Sequence, residues 1–333
     1  MSVTIVVGGQ IGSEGKGKII SYLSKENDVV VRSGGPNAGH TVCNEEGTHI
    51  FHMLPCGIFN NCKLLLSAAT MIDVEILIKE IDEYGIMPER LYIDKYATII
   101  EKRHKDYEKE MYNNKLSTGS GIGYATSERV IRKENLRFVK DIEELNEYCS
   151  DVWRIVNDSY DQNKNILIEG TQGMDLSLYH GSYPYVTSRD VSPGTLLGEV
   201  GLSPKSVDKI VMVLRTFPIR SCRGPLGNEV TWEKINSIRG SKCEPEVSTV
   251  TKRIRRVGEF DFEKVKKAIR ICRPDYIALT FVDYINGNDY KVNSYDDLSI
   301  ETKEFIEKLE KELETPVLLI GTGPSIDDII DLR

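Results

Sequence analysis

Short, nearly unbroken apolar runs recur along this 333-residue chain. Such runs, rich in Val, Ile and Leu, are typical of strands that are buried on both faces of a parallel sheet. They predict strands at Val3–Val7, Asp28–Arg32, Leu64–Leu66, Leu91–Ile93, Ile166–Ile168, Lys209–Leu214, Tyr276–Phe281 and Val317–Ile320.

Helical periodicity appears in many of the segments between these runs. Val74, Leu77, Ile78 and Ile81 occupy one helical face, and a second amphipathic helix around 305–313 stops at Thr315-Pro316. Strands that alternate with helices indicate the α/β class. We therefore predict a mainly parallel central sheet wrapped by helices, with ligands at the carboxyl ends of its strands.

Three long stretches, 112–135, 169–195 and 215–258, fit neither pattern and are rich in Gly, Ser, Thr and Arg. Loops of this length inside a compact domain are usually functional. Because no repeat, low-complexity tract or linker separates them, the sequence predicts a single domain over residues 1–333 with long functional loop insertions.

Composition and charge narrow the function. The net charge of −8 and pI of about 5.4 disfavour a nucleic-acid-binding surface and favour small anionic ligands in local basic pockets. The seven cysteines form no C-x-x-C pair, so neither a disulfide framework nor a zinc site is indicated. No signal peptide or membrane-spanning run is apparent, and we expect a cytoplasmic protein without a membrane partner.

The glycine-rich segment 8–18 follows the first predicted strand and opens a predicted helix. Its glycines free backbone N–H groups to approach phosphate oxygens, the helix N-terminus favours anions, and Lys16 or Lys18 can reach a terminal phosphate. It departs from the standard P-loop pattern at Gln10 and Gly17. The alternative is a tight turn with solvated lysines.

A second glycine-rich turn, 32–41, follows the second predicted strand and carries His40. An imidazole titrates near neutrality, so a protonated His40 is a candidate general acid toward an oxygen that gains negative charge. The alternative is a histidine with a purely structural role.

Three later segments add polar groups. Residues 117–132 form a candidate second anion cradle, with Arg129 and Arg132 behind its hydroxyls and amides. Segments 169–173 and 180–188 follow a strand and offer a carboxamide and hydroxyls to a base and a phosphate. The basic strip 247–256 suits a dicarboxylate, because arginine pairs bidentately with carboxylates. Turn chemistry and solvated charge are the alternatives.

Taken together, G-x-E-G-K-G-K, G-G-P-N-A-G-H-T, T-G-x-G-I-G, E-G-x-Q-G, H-G-x-Y-P-Y-V-T-S, the 247–256 strip and the terminal G-T-G-P resemble adenylosuccinate synthetase, in order over residues 3 to 324. The resemblance implies a P-loop-NTPase-related fold and a two-step ligase. A nucleoside triphosphate phosphorylates O6 of a purine monophosphate, and the amine of L-aspartate then displaces phosphate at C6. It also implies Mg²⁺ and a homodimer.

The resemblance further implies site residues. The catalytic set is Ser13, Lys16, His40 and Gln172, with Gln172 facing the purine 6-position. Triphosphate contacts fall to Gly12, Glu14, Gly15, Lys16, Gly17, Gly39, His40, Thr41, Phe281, Asp283, Gly321 and Gly323. Monophosphate contacts fall to Ser13, Asn37, Ser117, Thr118, Gln172, Thr187 and the partner subunit's Arg132. Aspartate contacts fall to Thr249, Val250, Thr251, Arg253 and Arg255. Metal contacts fall to Ser13 and Gly39.

Ser13 is the first departure from the family pattern, which places there an aspartate that takes the proton from N1 of IMP. A serine hydroxyl is no base at neutral pH. The substitution fits an inactive nucleotide-binding paralogue, a relocated base, or a substrate that disfavours the carboxylate. With a guanine nucleotide as substrate, the N1 proton would leave through a relay at Ser13, through metal-bound water, or to another carboxylate such as Asp175.

Guanine carries a 2-amino group beside N1, and a small hydroxyl leaves room for that group and accepts its hydrogen bond. This favours dGMP or GMP and resembles a phage-borne branch of the family. That branch makes N6-succino-2-amino-2′-deoxyadenylate from dGMP, a precursor of diaminopurine DNA. Ordinary adenylosuccinate synthesis from IMP, aspartate and GTP is the alternative.

Phe281 is the second departure, because the family has a lysine in the T-K-x-D motif that recognises the guanine of GTP. Asp283 is retained. An aromatic ring stacks on any base, so we expect ATP or dATP as the donor.

Overall fold

The computed structural model describes residues 1–112, 117–221, 223–247 and 254–333. In chain order its strands are β1 (Val3–Gly8), β2 (Val29–Arg32), β3 (His40–Asn44), β4 (Gly47–Phe51), β5 (Lys63–Leu66), β6 (Met71–Ile72), β7 (Leu91–Asp94), β8 (Thr98–Ile99), β9 (Cys149–Ser150), β10 (Ile166–Glu169), β11 (Lys209–Arg215), β12 (Ile219–Arg220), β13 (Glu229–Val230), β14 (Arg256–Gly258), β15 (Tyr276–Thr280), β16 (Val317–Gly321) and β17 (Ile329–Asp331).

The α-helices alternate with many of these strands. They are α1 (Lys16–Leu23), α2 (Val74–Tyr84), α3 (Lys102–Tyr112), α4 (Ile122–Val130), α5 (Val152–Asp161), α6 (Pro193–Val200), α7 (Trp232–Arg239), α8 (Phe262–Cys272) and α9 (Ile300–Leu313).

One large sheet organises the chain. Its strand order is β17-β16-β15-β11-β1-β10-β2-β5-β7-β9, and every neighbouring pair is parallel except β16 with β17. Smaller sheets join β12, β13 and β14, β3 and β4, and β6 and β8. The predicted mainly parallel α/β architecture is confirmed.

Two hydrophobic layers cover the faces of the large sheet. Alternate residues of β1 show the division, because Val6 packs in one layer while Ile5 and Val7 pack in the other. Helices α1 and α2 contribute to the first layer, and α5, α6, α8 and α9 contribute to the second. Full burial of each aliphatic side chain contributes about 1.5–3 kcal/mol, which explains why the strands carry unbroken apolar runs.

Each apolar run that predicted a strand forms one, with ends shifted by one residue at most. The expectation that 112–135, 169–195 and 215–258 are irregular is wrong in part, since they contain α4, α6, α7 and short strands. All three helices are brief, and α4 and α7 are largely polar, whereas α6 buries Leu196, Leu197 and Val200. The N-terminus of α4 is supported by a carboxylate on α3, which no local pattern reveals.

The sheet order sets the position of the ligand-binding loops. Because β11, β1, β10 and β2 are adjacent and parallel, the loops that follow them emerge side by side at one edge. This edge holds the predicted phosphate loop and the turn that leads to His40. It corresponds to the crevice at which open α/β sheets bind ligands. Among the described residues, no helix has the length and apolar content needed to cross a bilayer.

Candidate active site

A cavity of about 630 Å³ opens at this edge. Its walls come from the loops after β1, β2 and β10, from the start of α4, and from β12 and the segment before β14. The predicted site residues that line it are Gly12, Ser13, Asn37, Gly39, His40, Ser117, Thr118, Gln172, Thr187 and Arg255. Residues from distant parts of the sequence are thus brought to one chamber.

The phosphate loop is closed by its own carboxylate. Glu14 is fully buried, and its Oε1 accepts from the backbone N–H of Gln10 at 3.0 Å and of Gly12 at 2.8 Å. Its Oε2 pairs with Lys16 Nζ at 2.9 Å. Gly15, at φ +79°, makes the left-handed turn into α1. Lys16 therefore stands at the loop with an anionic partner already in place.

Lys18 does not serve the phosphate loop, contrary to one of the two alternatives predicted for a phosphate contact. Its buried ammonium donates to the carbonyls of Gly323 and Asp328, each at 2.7 Å. Burial lowers the pKa of Lys18 to about 8, against the opposing charge of Asp328. Lys18 instead ties α1 to the C-terminal loop.

Gly17 allows β3 to pack against the start of α1. A Cβ at this position would lie 2.6 Å from the Thr41 carbonyl oxygen and 3.1 Å from Cβ of His40. The Ser or Thr that the standard P-loop pattern has at this position is therefore sterically excluded. The same close approach brings His40 and Thr41 beside the lysine-bearing turn of the helix.

His40 belongs to a buried charge network. Its Nδ1 lies 2.6 Å from Oε1 of Glu169, and the same carboxylate accepts from Arg32 Nη1 at 3.2 Å and from the Cys56 backbone N–H at 2.8 Å. Because a carboxylate only accepts, the His40 proton sits on Nδ1. Nε2 is buried and has no hydrogen-bond partner among the described residues. This nitrogen is therefore available to a ligand.

Arg32 fixes the turn that carries His40. Besides Glu169, its guanidinium donates to the carbonyls of Leu54 at 2.9 Å, Ala38 at 2.9 Å and His52 at 3.0 Å. The residue is fully buried at the end of β2. Its fork therefore anchors two loops to the sheet.

His40 is neutral in the ligand-free protein. Burial lowers its pKa to about 4, the nearby Arg32 charge acts in the same direction, and Glu169 opposes both. The prediction of a protonated imidazole is therefore wrong for the free state at neutral pH. Phosphate oxygens near Nε2 would raise this pKa, since a nearby negative charge favours the imidazolium.

Ser13 sits on a fixed backbone. Its carbonyl accepts from Arg215 Nη1 at 3.0 Å, and Arg215 pairs with Glu246 at 2.5 Å. Gln10 joins the same strand end, because its carboxamide exchanges hydrogen bonds with the Arg215 backbone at 3.1 and 2.9 Å. Ser13 lines the cavity, and its hydroxyl has no hydrogen-bond partner in the described part of the chain. The hydroxyl is therefore available to a ligand in the cavity.

Several donors at 117–124, predicted as an anion cradle, are occupied by a carboxylate of the same chain. The buried carboxylate of Glu108 accepts from the Ser117 hydroxyl at 2.6 Å and from the backbone N–H groups of Gly121, Gly123 and Tyr124 at 3.0, 2.5 and 3.3 Å. Thr118, whose hydroxyl is 2.8 Å from that of Ser120, remains at the cavity wall.

The two arginines predicted behind that cradle have other positions. Arg129 donates to the carbonyls of Ala68 and Tyr96 and to the Thr98 hydroxyl, at 2.7–2.9 Å, so it is structural. Arg132 is exposed, adopts φ +59°, and does not line the cavity of its own chain. Thr187 does line it, and its N–H donates to the Leu176 carbonyl.

The residues predicted to contact the donor base do not line this cavity. Phe281 comes within 3.5 Å of a Cβ placed on Gly15, and its ring lies 3.8 Å from the Arg215 guanidinium. Asp283 is bound by Arg239, whose Nη2 reaches Oδ2 at 3.0 Å and whose Nε reaches the carbonyl at 2.9 Å. Burial raises the pKa of Asp283 to about 6, and Arg239 opposes this rise.

Most of the predicted aspartate strip, namely Thr249, Val250, Thr251 and Arg253, lies outside the described residues. Arg255 is described and lines the cavity, and its Nε is buried without a partner in the described part of the chain. Arg220 and Arg223 line the same wall. Neither arginine was predicted. Arg220 ends β12, and Arg223 directly precedes Gly224-Pro225. The wall is therefore cationic.

Asp175, the candidate relocated base, faces a different space. Its Oδ2 pairs with Lys264 Nζ at 2.9 Å, and its Oδ1 accepts from the Ser182 hydroxyl at 3.2 Å. These groups line a separate cavity of about 170 Å³ beneath Gly9, Gln10 and Ile11. Asp175 therefore does not reach a ligand beside Ser13.

The oxygen donors of the cavity suit a hard cation. Mg²⁺ prefers oxygen ligands and usually takes several from water and phosphate. The Ser13 hydroxyl and the Gly39 carbonyl both belong to lining residues, and the phosphate-loop lysine stands nearby. In contrast, the His40, Cys56 and Glu169 grouping is buried behind the wall and already holds the Arg32 charge. These few oxygen donors therefore fit a Mg²⁺ ion that would take most of its ligands from the phosphates of a nucleotide and from water.

The adenylosuccinate synthetase family model matches residues 5–142 and 134–290. The adenylosuccinate synthetase of Methanocaldococcus jannaschii is 43% identical over 343 aligned residues, covering 100% of this chain and 97% of the relative. That of Pyrococcus horikoshii is 39% identical over 342 residues, covering 100% and 99%.

Two solved structures share the fold. The fully ligated adenylosuccinate synthetase of Plasmodium falciparum superposes with a TM-score of 0.92 at 24% identity, covering 100% of both chains. The succinoaminodeoxyadenylate synthetase of cyanophage S-2L, bound to dGMP and to dATP as an energy donor, gives a TM-score of 0.84 at 26% identity. It covers 100% of this chain and 95% of the phage protein.

The state of His40 is testable by NMR. In the free protein its ring should remain neutral until the pH falls to about 4, whereas an exposed histidine titrates near 6.5. Between these values the unfolded chain binds more protons, so His40 lowers the stability of the fold as the pH falls. The His40→Asn variant identifies the resonance, and a midpoint above pH 6 would contradict the assignment.

The role of Glu108 is testable by stability and hydrogen exchange. Glu108→Gln turns an amide toward backbone donors and should destabilise the protein by about 1–3 kcal/mol, with faster exchange at Gly121, Gly123 and Tyr124. The matched control is Glu110→Gln on the exposed side of the same helix, which should change the urea midpoint little. Equal effects of the two substitutions would refute the anchoring role.

Proposed function

Since the chain belongs to the adenylosuccinate synthetase family, whose members ligate aspartate to a purine nucleotide, we propose that its acceptor is dGMP. In this proposal the product is N6-succino-2-amino-2′-deoxyadenylate, formed through a 6-phosphoryl intermediate with ATP or dATP as donor. The product serves diaminopurine deoxynucleotide synthesis. Ser13 is the observation on which the choice of acceptor rests.

Ser13 presents a small acceptor where the family pattern has a carboxylate. Its hydroxyl faces the cavity while Arg215 holds its backbone carbonyl at 3.0 Å. A guanine 2-amino group is a donor beside N1, and a hydroxyl accepts from it without the size or charge of a carboxylate. The fixed backbone makes this contact specific in position.

The carboxylates near the site supply no relocated base, and this holds for dGMP and IMP alike because both purines carry a proton at N1. Glu108 is the carboxylate side chain among the described cavity-lining residues, and its oxygens accept from three backbone amides and the Ser117 hydroxyl. Asp175 is paired with Lys264 in the other cavity. Neither carboxylate takes the place of the aspartate that the family has at the position of Ser13.

The arrangement of the other site residues disfavours an inactive paralogue. Lys16, His40, Gln172 and Arg255 remain together at the sheet edge, and the His40 tautomer is set by Glu169. Phosphoryl transfer depends mainly on positioning and on stabilisation of charge at the phosphoryl oxygens. In our proposal Lys16 and the Gly15–Gly17 amides hold those oxygens, and His40 Nε2 carries a proton to them.

We assign Mg²⁺ to the Ser13 hydroxyl and the Gly39 carbonyl. When bound, the ion neutralises charge on the transferring phosphoryl group. Lys16 contributes positive charge from the other side of the loop once a phosphate replaces Glu14 as its partner.

The donor base in the proposal is adenine. A carboxylate recognises guanine by accepting from N1–H and N2–H, and in this chain Oδ2 of Asp283 shares its acceptor capacity with Arg239. One face of the Phe281 ring is covered by the Arg215 guanidinium. The ring contributes to base binding by stacking, which does not distinguish one base from another. Stacking accepts adenine, so ATP or dATP is preferred over GTP.

L-Aspartate and the second subunit complete the proposed site. Arg255, on the cationic wall, pairs with a substrate carboxylate, together with the predicted contacts at 249–253. Arg132 lies on the surface next to the exposed Val130 and Ile131, which are 73% and 70% accessible. An exposed apolar edge of this kind fits a homodimer in which the partner's Arg132 reaches the 5′-phosphate.

A second candidate function is adenylosuccinate synthesis from IMP, aspartate and GTP. Overall similarity favours it, because the archaeal relatives at 39–43% identity over the whole chain are adenylosuccinate synthetases, whereas the phage enzyme is 26% identical. The two candidates share the ligation chemistry and differ in the purine C2 substituent and the donor base.

A direct assay distinguishes them. The protein is supplied with L-aspartate, Mg²⁺, one of dGMP, GMP or IMP, and one of ATP, dATP or GTP, and phosphate release and product mass are measured. We expect the highest kcat/KM with dGMP and an adenine donor. Turnover confined to IMP would establish the second candidate, and nucleotide binding without turnover would establish an inactive protein.

Ser13→Asp tests the selector itself. The larger anionic group should crowd the 2-amino group and supply the family's base for IMP, so the ratio of kcat/KM for dGMP to that for IMP should fall about tenfold or more. Ser13→Thr keeps the hydroxyl and is the matched control. An unchanged ratio in the aspartate variant would remove Ser13 as the determinant of the acceptor.

A further inference from the structure

We propose that Thr171, supported by Arg189, fixes the orientation of the Gln172 carboxamide and so selects a purine that carries oxygen at C6. This inference rests on the part of the proposed function that places Gln172 at the purine 6-position. It applies to dGMP and IMP alike, since both are 6-oxopurines. Thr171 is a positioning residue in this account, because it acts through Gln172.

Gln172 lies in a constrained conformation at the cavity wall. Its backbone adopts φ +60°, in the left-handed region, and its side chain is buried. Nε2 donates to Oδ1 of Asn37 at 3.1 Å, and Oε1 accepts from the Thr171 hydroxyl at 2.9 Å. The carboxamide is therefore held at both ends.

The Thr171 hydroxyl acts as a donor toward Gln172 because of its other neighbour. Arg189 Nη1 donates to Thr171 Oγ1 at 3.4 Å, and a guanidinium cannot accept. The hydroxyl proton then points at one of two acceptors, Gln172 Oε1 at 2.9 Å or the Ser33 carbonyl at 3.2 Å. In the shorter of these two contacts the hydroxyl donates to Oε1, which places the oxygen end of the amide at Thr171 and its NH₂ end at Asn37.

Arg189 is itself anchored. Its Nη2 donates to the Ser33 hydroxyl at 3.3 Å and pairs with Glu199 on α6, which accepts from the same hydroxyl at 2.7 Å. The Thr171 side chain packs tightly against the backbone of Gly34, where an added Cβ would lie only 2.5 Å from Thr171 Oγ1. The chain Glu199, Arg189, Thr171 and Gln172 thus runs from a helix to the cavity.

The fixed amide presents a donor to the ligand. Asn37 takes one N–H of the Gln172 NH₂ group, and the other is available toward the cavity. A purine O6 accepts from this N–H, whereas a 6-amino group would place donor against donor. The device therefore favours the 6-oxo substrate over nucleotides that already carry nitrogen at C6.

The experiment compares binding of two nucleotides that differ only at C6. The full-length protein is titrated calorimetrically with dGMP and with 2,6-diaminopurine deoxyribonucleoside monophosphate, and with IMP and AMP as a second pair. The wild type should bind the 6-oxo member at least about tenfold more tightly. Thr171→Val removes the hydroxyl at nearly constant volume and should bring the ratio to within about threefold of unity, whereas Thr171→Ser should keep it.

Thermal unfolding of the three proteins separates positioning from stability. A merely structural threonine would lower the melting temperature of Thr171→Val and leave the 6-oxo to 6-amino ratio as in the wild type, and that result overturns the inference. Equal loss of discrimination in the serine variant also overturns it. A wild type that binds neither pair overturns the proposed function together with the inference, whereas dGMP or IMP turnover with an unchanged ratio overturns the inference alone.

Discussion

The site depends on the hydrogen bonds and ion pair that the buried Glu169 carboxylate makes. This carboxylate is fully buried, and it receives Arg32, the His40 imidazole and the Cys56 amide. Burial alone would raise the pKa of this carboxyl group, but the Arg32 charge and the His40 hydrogen bond lower it. An unpartnered charge in this position would cost several kcal/mol. The three segments that supply its partners are therefore held together, and the Nδ1–H tautomer of His40 follows from that requirement.

Strand order converts this local network into a site. Arg32, Glu169 and Arg215 each end an apolar strand, and β2, β10, β1 and β11 lie side by side. Arg215 extends the arrangement from the Ser13 carbonyl to Glu246 and the Phe281 ring. One guanidinium thus connects the backbone of Ser13, which lines the cavity, with the Phe281 ring, which does not.

The sequence allowed the sheet and the phosphate loop to be predicted, because burial on both faces leaves unbroken apolar runs and because tight turns require glycine. It did not reveal partners that are distant along the chain. Glu108 supports a helix that begins at Ile122, and no local pattern indicated this residue. Lys18, one of the two lysines predicted as a phosphate contact, instead binds Gly323 and Asp328. The neutral state of His40 was also inaccessible, since it depends on burial and on Arg32. The position of Arg215, a charged residue at the end of an apolar strand, was the feature of the sequence that could have indicated its role at the site.

Glu14 has a wider consequence. Its carboxylate accepts from two amides of the glycine-rich loop and pairs with Lys16, so the chain itself supplies an anion where the proposed function places a nucleotide oxygen. In the proposed function, binding of the triphosphate is therefore an exchange of one anion for another. The positive charge that Glu14 balances would act on the nucleotide only after a phosphate has displaced this carboxylate.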